Sequence, residues 1–373
     1  MADSLGDKPF YLAFNRVKGI GPARLRLLLS HFGSLADAWQ ASPLQLAGAG
    51  LDQKSIDALV STRQSIAPAR EQDMLERTGI RALTWVDPDY PRLLRPLDDA
   101  PPVLYLRGAL VDADEWAVAI VGTRRATVYG QAVAEMLAAE LARNHVTVVS
   151  GMARGIDAVA HHAALDAGGR TIAVLGCGVD VVYPPEHRKL AQRIIEHGAL
   201  VSDYPPGTQP EAGNFPPRNR LISGLSLGVV VVEADEQSGA LITAHFAADQ
   251  GRDVFAVPGN ILNRSSRGAN RLIQRGAKLV LDTADILEEL NLGAVAEHVE
   301  AQAILPQNDA ERALLARLSH EPTRADELVR ELGLPAEVVT ATLAMMELKG
   351  MVRQAGGTTF VLARESRPLY KVD

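Results

Sequence analysis

The sequence predicts an α/β protein: a Rossmann-like doubly wound, mostly parallel sheet, flanked by a small all-α N-terminal domain and a winged-helix C-terminal domain. Three observations predict it. Between residues 80 and 290, runs apolar at every position alternate with helix-length amphipathic stretches, as expected for parallel strands buried on both faces. Ahead of them, residues 10–75 show helical spacing interrupted by glycine turns. Behind them, residues 309–361 carry three helical stretches and a Gly-Gly hairpin, the plan of a winged helix. We expect domains at 1–78, 79–292 and 308–373, with 293–307 as a linker.

In the front domain, FNRVKGIGPARLRLLLSHFG places Gly19-Ile20-Gly21-Pro22 between two apolar helices. Pro22 suits a first helical turn, and Leu25, Leu28 and Leu29 follow at helical spacing. LQLAGAGLDQKSIDALV repeats the punctuation with Gly48 and Gly50, but without basic residues before its turn. The pair resembles the helix-hairpin-helix of sterile-alpha-motif-like (SAM-like) domains, whose glycine turns offer N–H groups to phosphate. Lys18, Gly19, Gly21 and Arg24 are therefore candidate auxiliary DNA contacts. A small packed helical domain that serves protein contacts accounts for the same glycines equally well.

In the middle domain the expected strands are AVAIV (117–121), VTVVS (146–150), TIAVL (171–175), ALVS (199–202), GVVVVE (228–233) and DVFAV (253–257), with a short extra strand near VLYLR. Ligands of such sheets bind beyond the carboxyl ends of the strands, and several of those ends carry arginine. The first is followed by Gly122-Thr123-Arg124-Arg125. The glycine permits close approach, the next helix start favours an anion, Thr123 is placed to cap it, and the guanidinium forks suit phosphate. Gly151 and Arg154 follow the second strand. Phe215 precedes Arg218-Asn219-Arg220 at a helix start, an aromatic beside two cations, as single-stranded nucleic acid requires, while core packing accounts for a lone aromatic as well. Ser238 and Gly239 open another helix, with Glu233 and Asp235 making that end of the groove mixed in charge. The stretch NILNRSSRGANRLIQRGAK contains Arg264, Arg267, Asn270, Arg271, Arg275 and Lys278 and no acid. Together these loops point to an extended polyanion rather than a single phosphate.

Other chemistries lack their parts. No GxGxxG or Walker loop is present, which disfavours a nicotinamide oxidoreductase or a nucleoside triphosphatase. Ser150, Asp157 and His161 lack a nucleophile elbow and make an incomplete metal site. Asp157 is read as a helix-start residue and His161 as its neighbour. Cys177 is the sole cysteine and is read as a packed group. We expect no catalytic set, no metal and no cofactor. The net charge of −7 argues against a uniformly basic surface, and no run approaches a membrane span or a signal peptide. A cytoplasmic location is expected. In the tail, the third helical stretch AEVVTATLAMMELKG holds Glu337, Glu347 and a single base, Lys349, so a protein-contact or regulatory role is expected there.

Four stretches, VGTRRATVYG, SGMARGIDAVAHHAAL, TIAVLGCGVDVVYPPEHRKL and GNFPPRNRLISGLSLGVVVVEADEQSGALITAHFAADQGRDVFAVPGN, resemble in order and spacing the DNA-processing protein A family (DprA/Smf) over residues 80–290. The resemblance implies a nonenzymatic, homodimeric single-stranded DNA-binding protein. It would protect incoming or processed strands and load the RecA recombinase on them in natural transformation and homologous recombination, with a single-strand-binding protein as a further partner. The family's glycine-(serine or threonine)-arginine motif falls on Gly122, Thr123 and Arg124, and its arginine-asparagine-arginine segment on Arg218, Asn219 and Arg220. Gly151 and Arg154 match its second glycine loop, Ser238 and Gly239 the loop after the acidic strand end. Asp203 stands where glutamate is commoner. The alternative is a nucleotide-hydrolysing enzyme on a related scaffold, a phosphoribohydrolase, but the PGGxGTxxE signature of that group is missing.

Overall fold

The computed structural model describes residues 6–292, 308–319, 322–348 and 351–362. Residues 6–292 belong to one compact unit and the tail to a second. The expected linker 293–307 and Lys349 lie outside the described residues.

The first unit is built on a nine-stranded sheet in the order β1-β2-β6-β5-β4-β3-β7-β8-β9. The strands are β1 Arg81–Thr84, β2 Val103–Gly108, β3 Ala117–Val121, β4 Thr147–Ser150, β5 Thr171–Val174, β6 Gly198–Ser202, β7 Gly228–Val231, β8 Asp253–Ala256 and β9 Lys278–Leu279. From β6 to β9 every neighbouring pair is parallel; β1 and β2 are added antiparallel at one edge. The expected doubly wound sheet is therefore present. All six central strands and β2 lie where the apolar runs put them. Strands β1 and β9 were not expected. The first is short and begins with a charged residue, and the second is two residues inside a basic stretch, so neither shows the apolar signature.

Consecutive residues along β5 enter different cores, as a pleated strand requires. Ile172 and Val174 pack with Leu221, Ile222, Ala244 and Leu272 from α10 (Phe215–Gly224), α11 (Ala240–Asp249) and α12 (Arg267–Gln274). Ala173 and Leu175 pack with Leu165, Leu190 and Ile194 from α8 (Ile156–Asp166) and α9 (Arg188–His197). Helices thus cover both faces. At β3 the winding reverses: β4, β5 and β6 follow on one side, β7, β8 and β9 on the other. A crevice at the strand ends is the consequence.

The front is six helices: α1 Lys8–Asn15, α2 Pro22–Phe32, α3 Leu35–Gln40, α4 Pro43–Gly48, α5 Gln53–Ser65 and α6 Pro68–Thr78. Gly19 and Gly50 take the positive φ that each turn needs, at +90° and +92°. The front is joined tightly to the sheet. Ala82, Val103 and Tyr105 of β1 and β2 belong to its apolar core. Lys8 pairs with Asp87 at 3.0 Å, Arg16 donates to the Pro206 carbonyl at 3.0 Å, and the Arg26 guanidinium lies 4.7 Å from the centre of the Trp85 ring.

The first unit ends with α13 Ala284–Glu289, and the second has α14 Asp309–Leu315, α15 Ala325–Leu332 and α16 Ala336–Leu348, with β10 Thr323–Arg324, β11 Val352–Gly356 and β12 Thr359–Leu362 in a sheet ordered β10-β12-β11. This is the expected winged helix. Leu314, Leu328, Leu343 and Phe360 form its core. The helix Ala336–Leu348 contains no lysine or arginine.

Candidate functional site

The crevice opens as a groove of about 720 Å³ bordered by the loops after β3 and β7, the start of α10 and Tyr183. Two glycines let its walls close up. Gly155 has φ +77°, and a Cβ there would lie 2.3 Å from the Thr123 carbonyl oxygen. Gly122 has Ile156 and the Glu233 carbonyl where a side chain would begin. The Thr123 N–H donates to that carbonyl at 2.6 Å, so the loops after β3 and β7 are bonded to each other.

One arginine forms part of the wall from beneath. Arg218 is 4% exposed. It donates to the Gly151 carbonyl at 2.9 Å and also to the Val174 carbonyl, tying together the ends of β4 and β5. Beside it, Asp157 accepts the N–H groups of Gly151 and Ala153 at 3.2 and 3.3 Å. Burial pushes the Asp157 carboxyl up, against the pull of the Arg218 guanidinium and the two N–H groups. Burial likewise lowers Arg218, opposed by Asp157. The sequence placed Asp157 at a helix start, and it does sit there, closing the Gly151–Ala153 loop.

Above this layer, Phe215 forms the aromatic wall with Tyr183, ring centres 5.6 Å apart. The Arg124 guanidinium lies 5.6 Å from the Phe215 ring centre. Arg124 and Arg125 are exposed and line the groove, and neither side chain has an ion-pair partner among the described residues. Asn219 also lines it and donates to the Gly239 carbonyl at 3.2 Å, positioning the Ser238-Gly239 turn on the far wall. The site therefore offers two guanidinium groups without ion-pair partners among the described residues and a partly exposed aromatic pair in one open trough. That combination suits phosphates joined to flat rings.

The groove does not collect every candidate. Arg220 faces away, donating to Asp203 at 2.6 Å and to the Asp99 carbonyl at 2.6 Å. Burial raises the Asp203 carboxyl, while Arg220 pulls it down. Arg154 donates to Glu186 at 2.6 Å at the surface. Asn270 both donates to and accepts from the backbone of Gly259, at 2.9 and 3.0 Å, and so holds the loop after β8. Arg271 pairs with Glu236 at 3.4 Å, whereas Arg267 is exposed without such a partner among the described residues. In the front, Arg24 is engaged by the Gly19 carbonyl and by Asp52, and Lys18, Gly19 and Gly21 are exposed. None of these four lines the groove.

Two expectations about local chemistry are corrected. Thr123 does not cap the following helix: α7 spans Val128–Arg143, and Thr127 caps it by accepting the Gly130 N–H at 3.1 Å. The Glu233 carboxylate does not face the groove either. It is 2% exposed and takes the Thr127 N–H at 2.9 Å and the Ser265 hydroxyl at 2.5 Å. The helix start read as a phosphate seat is thus partly filled by the protein's own anion. Tyr183 and Ile242 line the groove without having been singled out. Tyr183 precedes Pro184 and Pro185 between β5 and α9, where an aromatic on a proline-stiffened loop was a usable signal.

His161 is fully buried, its Nδ1 2.6 Å from the Thr171 hydroxyl. Burial carries its imidazole down to about 3 from an ordinary 6.5. It is a neutral core group. Burial also pushes the Cys177 thiol up to about 11, against Arg218. No helix among the described residues is long and apolar enough to cross a membrane.

Comparison with known proteins identifies the architecture. Residues 81–291 match the family model for DNA recombination-mediator protein A, and residues 298–358 that for the DprA winged helix domain. Protein Smf of Synechocystis is 36% identical, over 96% of this chain and 99% of its own. Protein Smf of Escherichia coli is 39% identical over 82% of this chain and 87% of its own. Among solved structures, DNA processing protein A from Streptococcus pneumoniae superposes with a TM-score of 0.67 at 35% identity, covering 75% of this chain and 97% of its own. The Helicobacter pylori protein, described as having a unique single-stranded DNA binding mode, has a TM-score of 0.51 at 32% identity, covering 57% of this chain and 95% of its own. The chain belongs to the DNA recombination-mediator protein A family.

Proposed function

We propose that the chain binds single-stranded DNA in the strand-end groove, with little sequence preference. It protects incoming or processed strands and presents them to the RecA recombinase in natural transformation and homologous recombination. The observation that carries this reading is the pair of unpaired guanidinium groups, Arg124 and Arg125, beside the Phe215 and Tyr183 rings. Phosphates take the charges and unpaired bases take the rings. A duplex, with its bases already stacked, gains nothing from the rings. The H. pylori relative, with its single-stranded DNA binding mode, supports the same ligand. The protein's role is that of a binder and loader without a catalytic set, working in the cytoplasm. A second copy of the chain doubles the length of strand held and raises avidity. A single-strand-binding protein, which covers the same ligand, is the natural partner from which strands are received.

The test is fluorescence anisotropy of labelled single- and double-stranded oligonucleotides across a salt series, with Arg124→Ala and Arg125→Ala for comparison. Salt-sensitive, single-strand-preferring binding should weaken in both variants, and each should flatten the log–log salt slope by about 0.7. Full binding by both variants rejects the groove. Release of base from incubated nucleotides, with no oligonucleotide binding, favours the phosphoribohydrolase instead.

A further inference from the structure

Beside the groove, the first turn of α7 is fastened to the loop after β8. The Tyr129 hydroxyl donates to the Pro258 carbonyl at 2.9 Å. One buried carboxylate, Glu233, binds both the Thr127 N–H and the Ser265 hydroxyl. These bonds hold Val128 and Tyr129 near the Arg264–Ser266 turn and the Ile261-Leu262 segment that precedes it.

This anchored junction leaves its apolar side chains in water. Val128 is 87% exposed, Ile261 76% and Leu262 85%, and half of Tyr129 is open. Single exposed apolar residues need no explanation, but several on one fixed junction mark a surface that something covers. Glu233 is buried beneath the junction, and the exposed charge on its two segments is of one sign. Arg125, Arg264 and Arg267 are exposed without ion-pair partners among the described residues, and segments 123–130 and 258–267 contain no acidic residue.

We propose that this junction is a second stretch of the single-strand track, where bases leaving the groove stack on Tyr129 and the Ile261-Leu262 segment while Arg125 and Arg264 hold the flanking phosphates. The proposal rests on the functional reading above. Arg125 lines the groove and lies three residues before Val128, which links the two surfaces through the chain. The Tyr129 ring, its hydroxyl already engaged by Pro258, and the Ile261 and Leu262 side chains offer apolar surface to any base face, so the stretch accepts any sequence. A protein partner would gain from the apolar patch but would have to supply acidic residues to three arginines. A nucleic acid strand brings both halves of the complement already alternating.

The experiment compares full-length wild type with a Tyr129→Ala, Leu262→Ser double variant, using thymidine oligonucleotides of about four and about twelve nucleotides. A thermal melt checks the fold, and Tyr129→Phe, which loses the hydroxyl bond to Pro258 but keeps the ring, should bind the long probe like wild type. The variant should bind the short probe like wild type and the long one about tenfold more weakly. Removing the bases, but not the phosphates, from the outer half of the long probe should weaken wild type and leave the variant unchanged. Equal binding of the long probe by both proteins overturns the proposal while leaving the groove standing. So does an equal loss on both probes, which would make the junction part of the groove itself. A change in sedimentation mass with DNA binding intact makes it an interface between copies instead. Failure of wild type to bind either probe removes the functional reading, and this proposal with it.

Discussion

Arg124 and Arg218 place their guanidinium groups 5.6 and 5.7 Å from the centre of the same Phe215 ring, yet their surroundings separate their roles. Arg124 is exposed and has no ion-pair partner among the described residues. Replacing it by alanine should leave the melting temperature unchanged while weakening oligonucleotide binding. Arg218 is buried against two strand-end carbonyls and Asp157. Arg218→Ala leaves those carbonyls without their donor and removes the cation that Asp157 feels, and should lower unfolding stability by about 1–3 kcal/mol in a urea titration. A stable, binding-deficient Arg218→Ala would instead make Arg218 a direct phosphate ligand. The sequence showed which loops carry arginine. It could not show which arginines are consumed by the fold, because the carbonyls that Arg218 takes are far away in the chain. His161 gives a second test at this scale. Above 6.5 the imidazole is neutral in both folded and unfolded chains. As the pH falls from 6.5 towards about 3, only the unfolded chain takes up its proton, so stability is lost over that window. The loss approaches about 1.4 kcal/mol per pH unit. Urea titrations at about pH 7.5 and about pH 5 should show it, with a smaller drop in His161→Gln.

Among the elements, those apolar on both faces were legible and those defined by their neighbours were not. Runs such as AVAIV and TIAV carry their own burial signal. The two-residue β9 exists only through its pairing with Phe255 and Ala256. The start of α7 was misplaced for a similar reason. Val128, Tyr129 and Gly130 are poor helix formers, so a helix start at Val128 is not legible in the residues, and Thr123 was placed as the cap. What forms that first turn is the Thr127 cap together with Glu233, an acid whose role depends on residues about thirty and a hundred positions away. Glu233→Ala should cost about 1–3 kcal/mol. Hydrogen exchange should also quicken at the amides of Thr127 and of the Arg264–Ser266 turn. Unchanged exchange at Thr127 would mean that another group satisfies that N–H.

The whole chain is acidic, and the groove's unpaired cations are a local exception within it, which concentrates any attraction for a polyanion at one place. Its parts also depend on one another unequally. The front was expected as a domain ending at 78, yet Ala82, Val103 and Tyr105 of the sheet lie in its apolar core, and Lys8, Arg16 and Arg26 reach across to the sheet unit. A chain beginning at residue 79 would open that face of β1 and β2 to water. It should therefore melt well below the full chain and aggregate as it does so. The tail is a separate unit with its own core. Its third helix has Glu337, Glu347 and Met345 exposed and no basic residue between Ala336 and Leu348, a surface suited to a protein rather than to phosphates. A chain ending at residue 292 should keep the melting transition of the front and sheet and bind labelled single strands as tightly as the full chain. Weaker binding with that transition intact would place DNA contacts in the tail and overturn the protein-contact reading of it. Unchanged binding would leave the tail free to engage a partner while the groove holds the strand.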